Sequence, residues 1–351
     1  MKKSLIALAA VAASGAAFAQ SSVTVFGVVD AAVTVYDGEE TVSGLGNSGN
    51  SSSRLGFRGV EDLGNGLKAQ FWLEGAISND DGSGVGAGAG QGFEFKRRST
   101  VSLLSNYGEL RLGRSTTAAY DAVSRYDNFG TVGVGASRVW STGGYDNRKS
   151  NMVSYYSPDF SGFKFAANYA FGEQDQSTWK RGAYYGLSAT YDNGPLSVGF
   201  GAERQNNANP VLGSNTNRLT AYGIGGSYNF GVVKLAAAYL NQESQPHPAS
   251  VASADYDNFL LAVSAPVGAA GEVKASYNRY EVDGAAEGKA DQFSLGYVHN
   301  LSKRTAVYGT YSYLKNKNGG NNFTLGGAGV TKPALDDGKI QAVQVGVRHA
   351  F

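Results

Sequence analysis

The sequence predicts an all-β fold: a closed, 16-stranded antiparallel transmembrane β-barrel. Three observations carry that prediction. Apolar and aromatic residues recur with a period of two along almost the whole chain. Short Gly/Asn/Asp turns alternate with longer polar segments. No uninterrupted apolar run in the mature chain reaches the ~18 residues a spanning helix needs, so strands must present the apolar surface.

The period is plain in several places. Leu196, Val198, Phe200 and Ala202 alternate with Ser197, Gly199, Gly201 and Glu203. Tyr185, Leu187, Ala189 and Tyr191 alternate with Gly186, Ser188 and Thr190, and Phe163, Phe165, Ala167 and Tyr169 with Lys164, Ala166 and Asn168. Phe293, Leu295 and Tyr297 flank Ser294 and Gly296 in the same way. One face is apolar, the other small or polar.

The connections supply the strand count. Short turns stand at Gly64–Gly66, Asn106–Gly108, Ser157–Gly162, Asp192–Gly194, Asn229–Gly231, Pro266–Gly271 and Asn300–Lys303. Longer polar segments run over Asp37–Ser52, Asn79–Gly92, Ser115–Asn147, Gly172–Arg181, Asn206–Arg218, Glu243–Asp255, Val282–Lys289 and Asn316–Lys339. Seven turns and eight loops make fifteen connections, hence sixteen strands. Short turns on one side and long loops on the other are the pattern of an outer-membrane barrel. In lipid every backbone N–H and C=O needs a partner within the protein, and a sheet meets that need only by closing. At sixteen strands the lumen is too wide for side chains to fill and holds water.

Composition agrees. The chain has 49 glycines, 21 tyrosines and 17 phenylalanines but 7 prolines, a strand-and-turn texture that runs from end to end without a linker. One domain follows, although the length alone would suggest two. Cysteine is absent, so no disulfide contributes. The 30 basic residues nearly match the 29 acidic ones, which leaves no global field for nucleic acid; any charge selectivity must be local.

The ends carry addresses. Lys2 and Lys3, the apolar stretch Leu5–Ala13 and the cleavage pattern Ala17-Phe18-Ala19 read as a signal peptide over residues 1–19, with the barrel over 20–351. At the other end Val343, Val345, Val347, His349 and Phe351 share one face and finish on an aromatic carboxyl terminus. A secreted β-sandwich would bury an apolar face with the same period, and this terminal face argues against it.

Several stretches then identify a family. Ser22–Asp30 (SVTVFGVVD), Ser53–Gly64 (SRLGFRGVEDLG), Phe71–Gly75, Phe95–Leu103 (FKRRSTVSL), Gly108–Arg114 (GELRLGR), Tyr297–Thr305 and Gln344–Phe351 make the chain similar to the trimeric general porins of β-proteobacteria, particularly their anion-selective member. The resemblance covers nearly the whole mature chain and fails mainly in the long loops. It implies a homotrimer in outer-membrane lipid and lipopolysaccharide, passing small anions and hydrophilic solutes. It also implies that Phe351 closes a signal read by the barrel-assembly machinery. No cofactor is expected.

A pore works through its narrowest section. The longest loop, about 115–147, follows the fifth strand, where family porins fold a loop into the lumen; it carries Asp121, Arg125, Asp127, Arg138 and Asp146. Parity assigns the facing wall. With Leu55 and Phe57 towards lipid, Arg54 and Arg58 face inward; with Phe71 and Leu73 out, Trp72 and Glu74 face in; Val153 and Tyr155 out place Arg148 inward. On the fourth strand Val101 and Leu103 out put Arg98 and Lys96 inside. The resemblance instead marks Arg97, and both readings are kept, with a bulge as one way to reconcile them.

Matched position by position to the anion-selective porin, Arg54, Arg97 and Arg148 form an arginine cluster and Glu74 its facing carboxylate. Arginine suits the task because it keeps its charge at any working pH. Arg58 is read chiefly as a holder of the loop through its carbonyls, and Glu74 and Asp121 equally as loop anchors or solute contacts. Most tyrosines have lipid-facing parity and should form interfacial girdles.

Other classes fade. Gly84–Gly90 lacks the helix and the Lys-Ser/Thr of a phosphate loop. His247, His299 and His349 lie in unrelated segments without metal-ligand spacing or a partnered nucleophile, which counts against a barrel enzyme. A porin specific for small organic anions or phosphate, and a surface antigen or adhesin, remain as alternative functions.

Overall fold

Sixteen antiparallel strands pair in sequence order, and the last returns to the first. The computed structural model describes residues 22–84, 92–138, 145–172, 182–209, 214–246, 253–284, 287–317 and 323–351. The expected signal peptide over 1–19 lies outside them, as do most of Gly84–Gly90, Val139, Trp140 and His247.

Strand β1 spans Ser22–Asp37, and β2 runs in two segments, Thr41–Asn47 and Arg54–Gly64, both paired to β1. The chain continues through β3 (Leu67–Ala76), β4 (Arg98–Ser105), β5 (Gly108–Thr116), a short helix α1 (Ala118–Ser124) and β6 (Arg148–Tyr156). Then follow β7 (Phe163–Ala170), β8 (Tyr184–Asn193), β9 (Leu196–Asn209), β10 (Ser214–Asn229) and β11 (Lys234–Pro246). The last five are β12 (Ala254–Val267), β13 (Gly271–Gly284), β14 (Gly288–Asn300), β15 (Thr305–Lys317) and β16 (Lys339–Ala350). Closure runs from Val28 opposite Ala350 to Asp37 opposite Gln341. The carboxyl-terminal Phe351 extends it, exchanging two backbone hydrogen bonds of 3.1 Å with Gly27. Gly27 has to be glycine here: a Cβ would stand 2.4 Å from the Phe351 ring.

The alternation places its apolar set outside as expected. Val25, Val33, Val101, Leu112, Leu187, Phe200, Ile224, Leu261, Phe293, Leu295, Val345 and Val347 are all exposed on the outer face, where lipid would cover them. Their neighbours Thr34, Ser102, Ser154, Asn258, Ser294 and Gln344 point inward and are buried. This inverts a soluble barrel, because the solvent outside is hydrocarbon.

Two expectations change. The strands extend into the segments Asp37–Ser52, Asn206–Arg218, Glu243–Asp255 and Val282–Lys289: β2 takes up Thr41–Asn47, β9 reaches Asn209, β10 starts at Ser214, β11 reaches Pro246, β12 starts at Ala254, and β13 and β14 approach to within three residues. Polar residues on both faces end the apolar alternation above the lipid belt, while backbone pairing continues past it. The inner face is also not uniformly polar. Tyr36, Leu240, Tyr280, Val282, Leu314 and Ile340 form a buried apolar cluster with Val123 and Val134 from the loop after β5 and with Phe323 and Leu325 from the loop before β16. Two loops therefore fold into the barrel and bring their own core. Tyr36, Tyr184, Tyr280 and Tyr308 belong to this interior rather than to the girdles.

Replacing Phe351 with Ala removes the ring that seats on Gly27 and should lower the yield of folded barrel. The fraction of heat-modifiable protein on unboiled gels checks this; an unchanged fraction would refute a role in closure.

Candidate functional site: an arginine wall and the loop that faces it

The loop after β5 begins as α1, capped where Thr117 Oγ1 accepts the Tyr120 N–H at 3.3 Å. The Ala118 N–H donates to Asn168 Oδ1 on β7 at 2.6 Å. α1 then lies against β8, β9 and β10, where the inward residues are small for a reason. A Cβ on Gly201 would meet Ala119 Cα at 2.6 Å, and one on Gly225 would meet the Tyr126 ring at 2.2 Å. Beyond the helix, Arg125 makes a two-pronged ion pair with Asp192 beside the β8–β9 turn, at 2.8 and 3.1 Å. Asn128 Nδ2 donates to the carbonyls of Val263 and Ala275 on β12 and β13. Gln344 on β16 accepts from the Val134 N–H, Gln292 on β14 donates to the Ala136 carbonyl, and the Arg138 N–H donates to the Tyr280 hydroxyl.

The path is one-sided. All these anchors lie between β7 and β16, and each contributes about 1 kcal/mol net, so losing one should shift the loop rather than free it. The turn within it is closed by buried Asp127, which accepts the N–H groups of Phe129, Thr131 and Ser137. Burial pushes that carboxyl above its usual range, against the pull of the three amides. Asp127 thus shapes the loop and does not meet solute.

The inner face of β2–β6 is left open, and the expected cluster gathers there. Glu74 sits at its centre. Its Oε1 accepts Arg97 Nε at 2.6 Å and lies 3.9 Å from Arg54 Nε, while Oε2 accepts the Trp72 indole N–H at 3.1 Å. Arg148 donates to the Arg97 carbonyl at 3.2 Å and to Asn147 Oδ1 at 3.0 Å, which adds a third guanidinium beside the pair that holds Glu74. Asp121, in the first turn of α1, accepts from Thr116 Oγ1 at 2.8 Å and is exposed.

The choice between Arg97 and Arg98 dissolves. Arg98 opens β4 opposite Glu74 with the inward parity that alternation assigns it. Arg97 is a bend residue just ahead of the strand, outside the alternation, and its side chain reaches Glu74 as well. Both face the lumen. Arg98 donates to Thr100 and stands 4.5 Å over the Trp72 ring.

Arg58 departs from expectation. Among the described residues it holds no loop carbonyl; its guanidinium lies 5.3 Å from the Phe26 ring and 5.2 Å from Trp72. The described anchors of the loop lie on the other wall, from β7 to β16. Arg54 and Arg148 do hold carbonyls, those of Ser52 at 3.0 Å and Arg97 at 3.2 Å, which lie outside the folded-in loop.

Two features were not read from the sequence. Arg111 on β5 faces inward, paired with Glu109 at 2.8 Å and lying 4.1 Å over the Tyr156 ring. The parity of Leu110 and Leu112 would have revealed it. The other is the interruption of β2. Residues 48–53 turn inward around the fully buried carboxylate of Asp30, which accepts the N–H groups of Gly49, Asn50 and Ser51 and the Tyr308 hydroxyl. Ser53 Oγ and Asn79 Nδ2 both donate to the Asp30 carbonyl. Asp30 thereby fixes the segment whose Ser52 carbonyl holds Arg54, and Gly49 in turn abuts Gly133 of the constriction loop.

Comparisons with known proteins agree with this architecture. A family described as Gram-negative porins matches residues 5–319. Outer membrane porin protein 32 of Delftia acidovorans is 46% identical over the full length of both chains, and an outer membrane porin of Bordetella pertussis is 33% identical over the same share. An anion-selective porin from Comamonas acidovorans superposes with a TM-score of 0.83 at 43% identity, covering 95% of this chain and all of its own.

Replacing Asp30 with Ala leaves three amides and a hydroxyl unmet and should cost about 2–4 kcal/mol. Thermal unfolding in detergent should begin earlier, and single-channel conductance should rise and become noisier as the insert loosens. Unchanged melting and conductance would refute the role given to Asp30.

Proposed function

Since the chain belongs to the Gram-negative porin family, we propose that its channel prefers anions, and that Arg54, Arg97 and Arg148 with Glu74 set that preference. The protein is an outer-membrane porin: a water-filled barrel for passive diffusion of small hydrophilic solutes and ions. What supports the finer reading is one arrangement: Arg54 and Arg97 pair with the single carboxylate of Glu74, and Arg148 joins them through the Arg97 carbonyl, on the wall that the loop leaves open.

The physical reasoning is short. Glu74 brings one negative charge to Arg54 and Arg97 together, and among the described residues no second carboxylate pairs with Arg54, Arg97 or Arg148, so the cluster keeps a positive excess. Asp121 faces them from α1 and limits the excess without cancelling it. Rings of fixed charge are how pores choose ions. Charges ~4 Å apart in water interact by only ~1 kcal/mol, so an anion is favoured at the narrowing yet leaves quickly. Salt screens the field beyond ~8 Å, which confines the preference to the narrowing itself.

Assembly as a homotrimer, docking of Phe351 to the barrel-assembly machinery and contact with lipopolysaccharide belong to the same proposal and are supported by family membership; the signal peptide over 1–19 belongs to it on the pattern of its residues. The absence of catalysis belongs to it as well.

The purified protein in a planar bilayer under a KCl gradient should give a zero-current potential of anion-selective sign. The double variant Arg54→Ser/Arg148→Ser should move that potential towards zero by more than half. A cation-selective sign in the unmodified protein would sink the assignment.

A further inference from the structure

One basic group on the open wall takes no part in the cluster around Glu74. Arg58 lies one inward position nearer the periplasmic turn Gly64–Gly66 than the Glu74 level, directly across from Trp72 on β3 and Thr24 on β1. It is exposed to the lumen, and among the described residues its guanidinium has no hydrogen-bond acceptor and no carboxylate partner. Its neighbours are flat. Phe26 and Trp72 meet edge to face with ring centroids 5.0 Å apart, Arg58 stands over both, and Arg98 stands over Trp72.

A bare anion would need none of this. Chloride or phosphate is served by charge alone, which the arginines at the narrowing supply. A guanidinium backed by aromatic rings offers two further things. Its plane stacks on a π-face, and its fork of N–H groups grips a carboxylate. The exposed Thr24 hydroxyl opposite Arg58 adds a donor at the same level. Trp72 is tied to Glu74 through its indole N–H, so the shelf is rigidly joined to the narrowing above it.

We propose that Arg58, Trp72, Phe26 and Arg98 form a second solute station, on the periplasmic side of the constriction, that binds planar aromatic carboxylates. The proposal rests on the anion-preferring reading and adds a shape requirement to it: solutes with a flat π-face dwell there, while saturated carboxylates of the same charge and size pass.

Benzoate and cyclohexanecarboxylate are the probes, because they differ in planarity and not in charge. In single-channel recordings in KCl, benzoate should reduce the chloride current in a saturable way, more strongly from the periplasmic face, and cyclohexanecarboxylate should do so at least several-fold less. Arg58→Lys keeps the charge and removes the plane; it should raise the half-blocking benzoate concentration about tenfold, the scale of a cation–π contact. Equal block by the two carboxylates, or an unchanged benzoate block in Arg58→Lys, overturns the station. An anion-selective zero-current potential alongside equal block overturns the station alone, whereas a cation-selective potential counts against the anion-preferring pore beneath it. The probe comparison uses the unmodified protein, so the test stands even where the variant folds poorly.

Discussion

No backbone amide can go without a partner in the hydrocarbon of a membrane, and the rest of this molecule follows from that constraint. Closing the sheet satisfies it, which is why Val28 to Asp37 return to Ala350 to Gln341 and why Phe351 continues the seam against Gly27. Closure at sixteen strands creates a second problem, a lumen wider than side chains can fill. The chain fills it with its own loops. Val123 and Val134 from one, and Phe323 and Leu325 from another, build a buried core inside the barrel that a smaller barrel would not need.

That internal core divides the lumen into two walls of different character. From β7 to β16 inner side chains serve the loop: Gly201 and Gly225 let α1 approach, Asn168, Gln292 and Gln344 bond its backbone, and Leu240, Tyr280 and Leu314 pack against its apolar residues. From β2 to β6 the inner side chains are left to the water, and there arginine predominates. The asymmetry ties selectivity to packing. The arginine cluster stands on the wall the loop does not cover, and Asp30 keeps the edge of that wall in place by holding the inward turn of β2.

Much of this was legible in the residues. Alternation at Leu196–Glu203 and the spacing of Gly-Asn turns specify barrel, strand count and direction, because lipid imposes period two and short turns admit few conformations. Parity also places Arg54, Glu74, Arg98 and Arg148 inside. It fails where the backbone leaves the strand: Arg97 sits on a bend, and the turn 48–53 interrupts β2, so neither obeys alternation. It fails again above the lipid belt, where β9 to β14 carry polar residues on both faces and look like loops while remaining paired. Partners far apart in sequence, such as Asp30 with Tyr308 over β16 or Arg125 with Asp192 through the folded-in loop, depend on which elements the closed barrel brings together. No local pattern encodes that. Arg58 shows the consequence, since its neighbours proved to be rings rather than carbonyls.

In the proposed anion-preferring pore, anions travel along the β2–β6 wall because the loop is bound to the other. Anomalous diffraction from crystals soaked separately in bromide and in rubidium locates the two charges directly. The account predicts bromide peaks among Arg54, Arg97 and Arg148, and none for rubidium along that wall. Rubidium at those arginines, with bromide absent or scattered over the β7–β16 side, would contradict it.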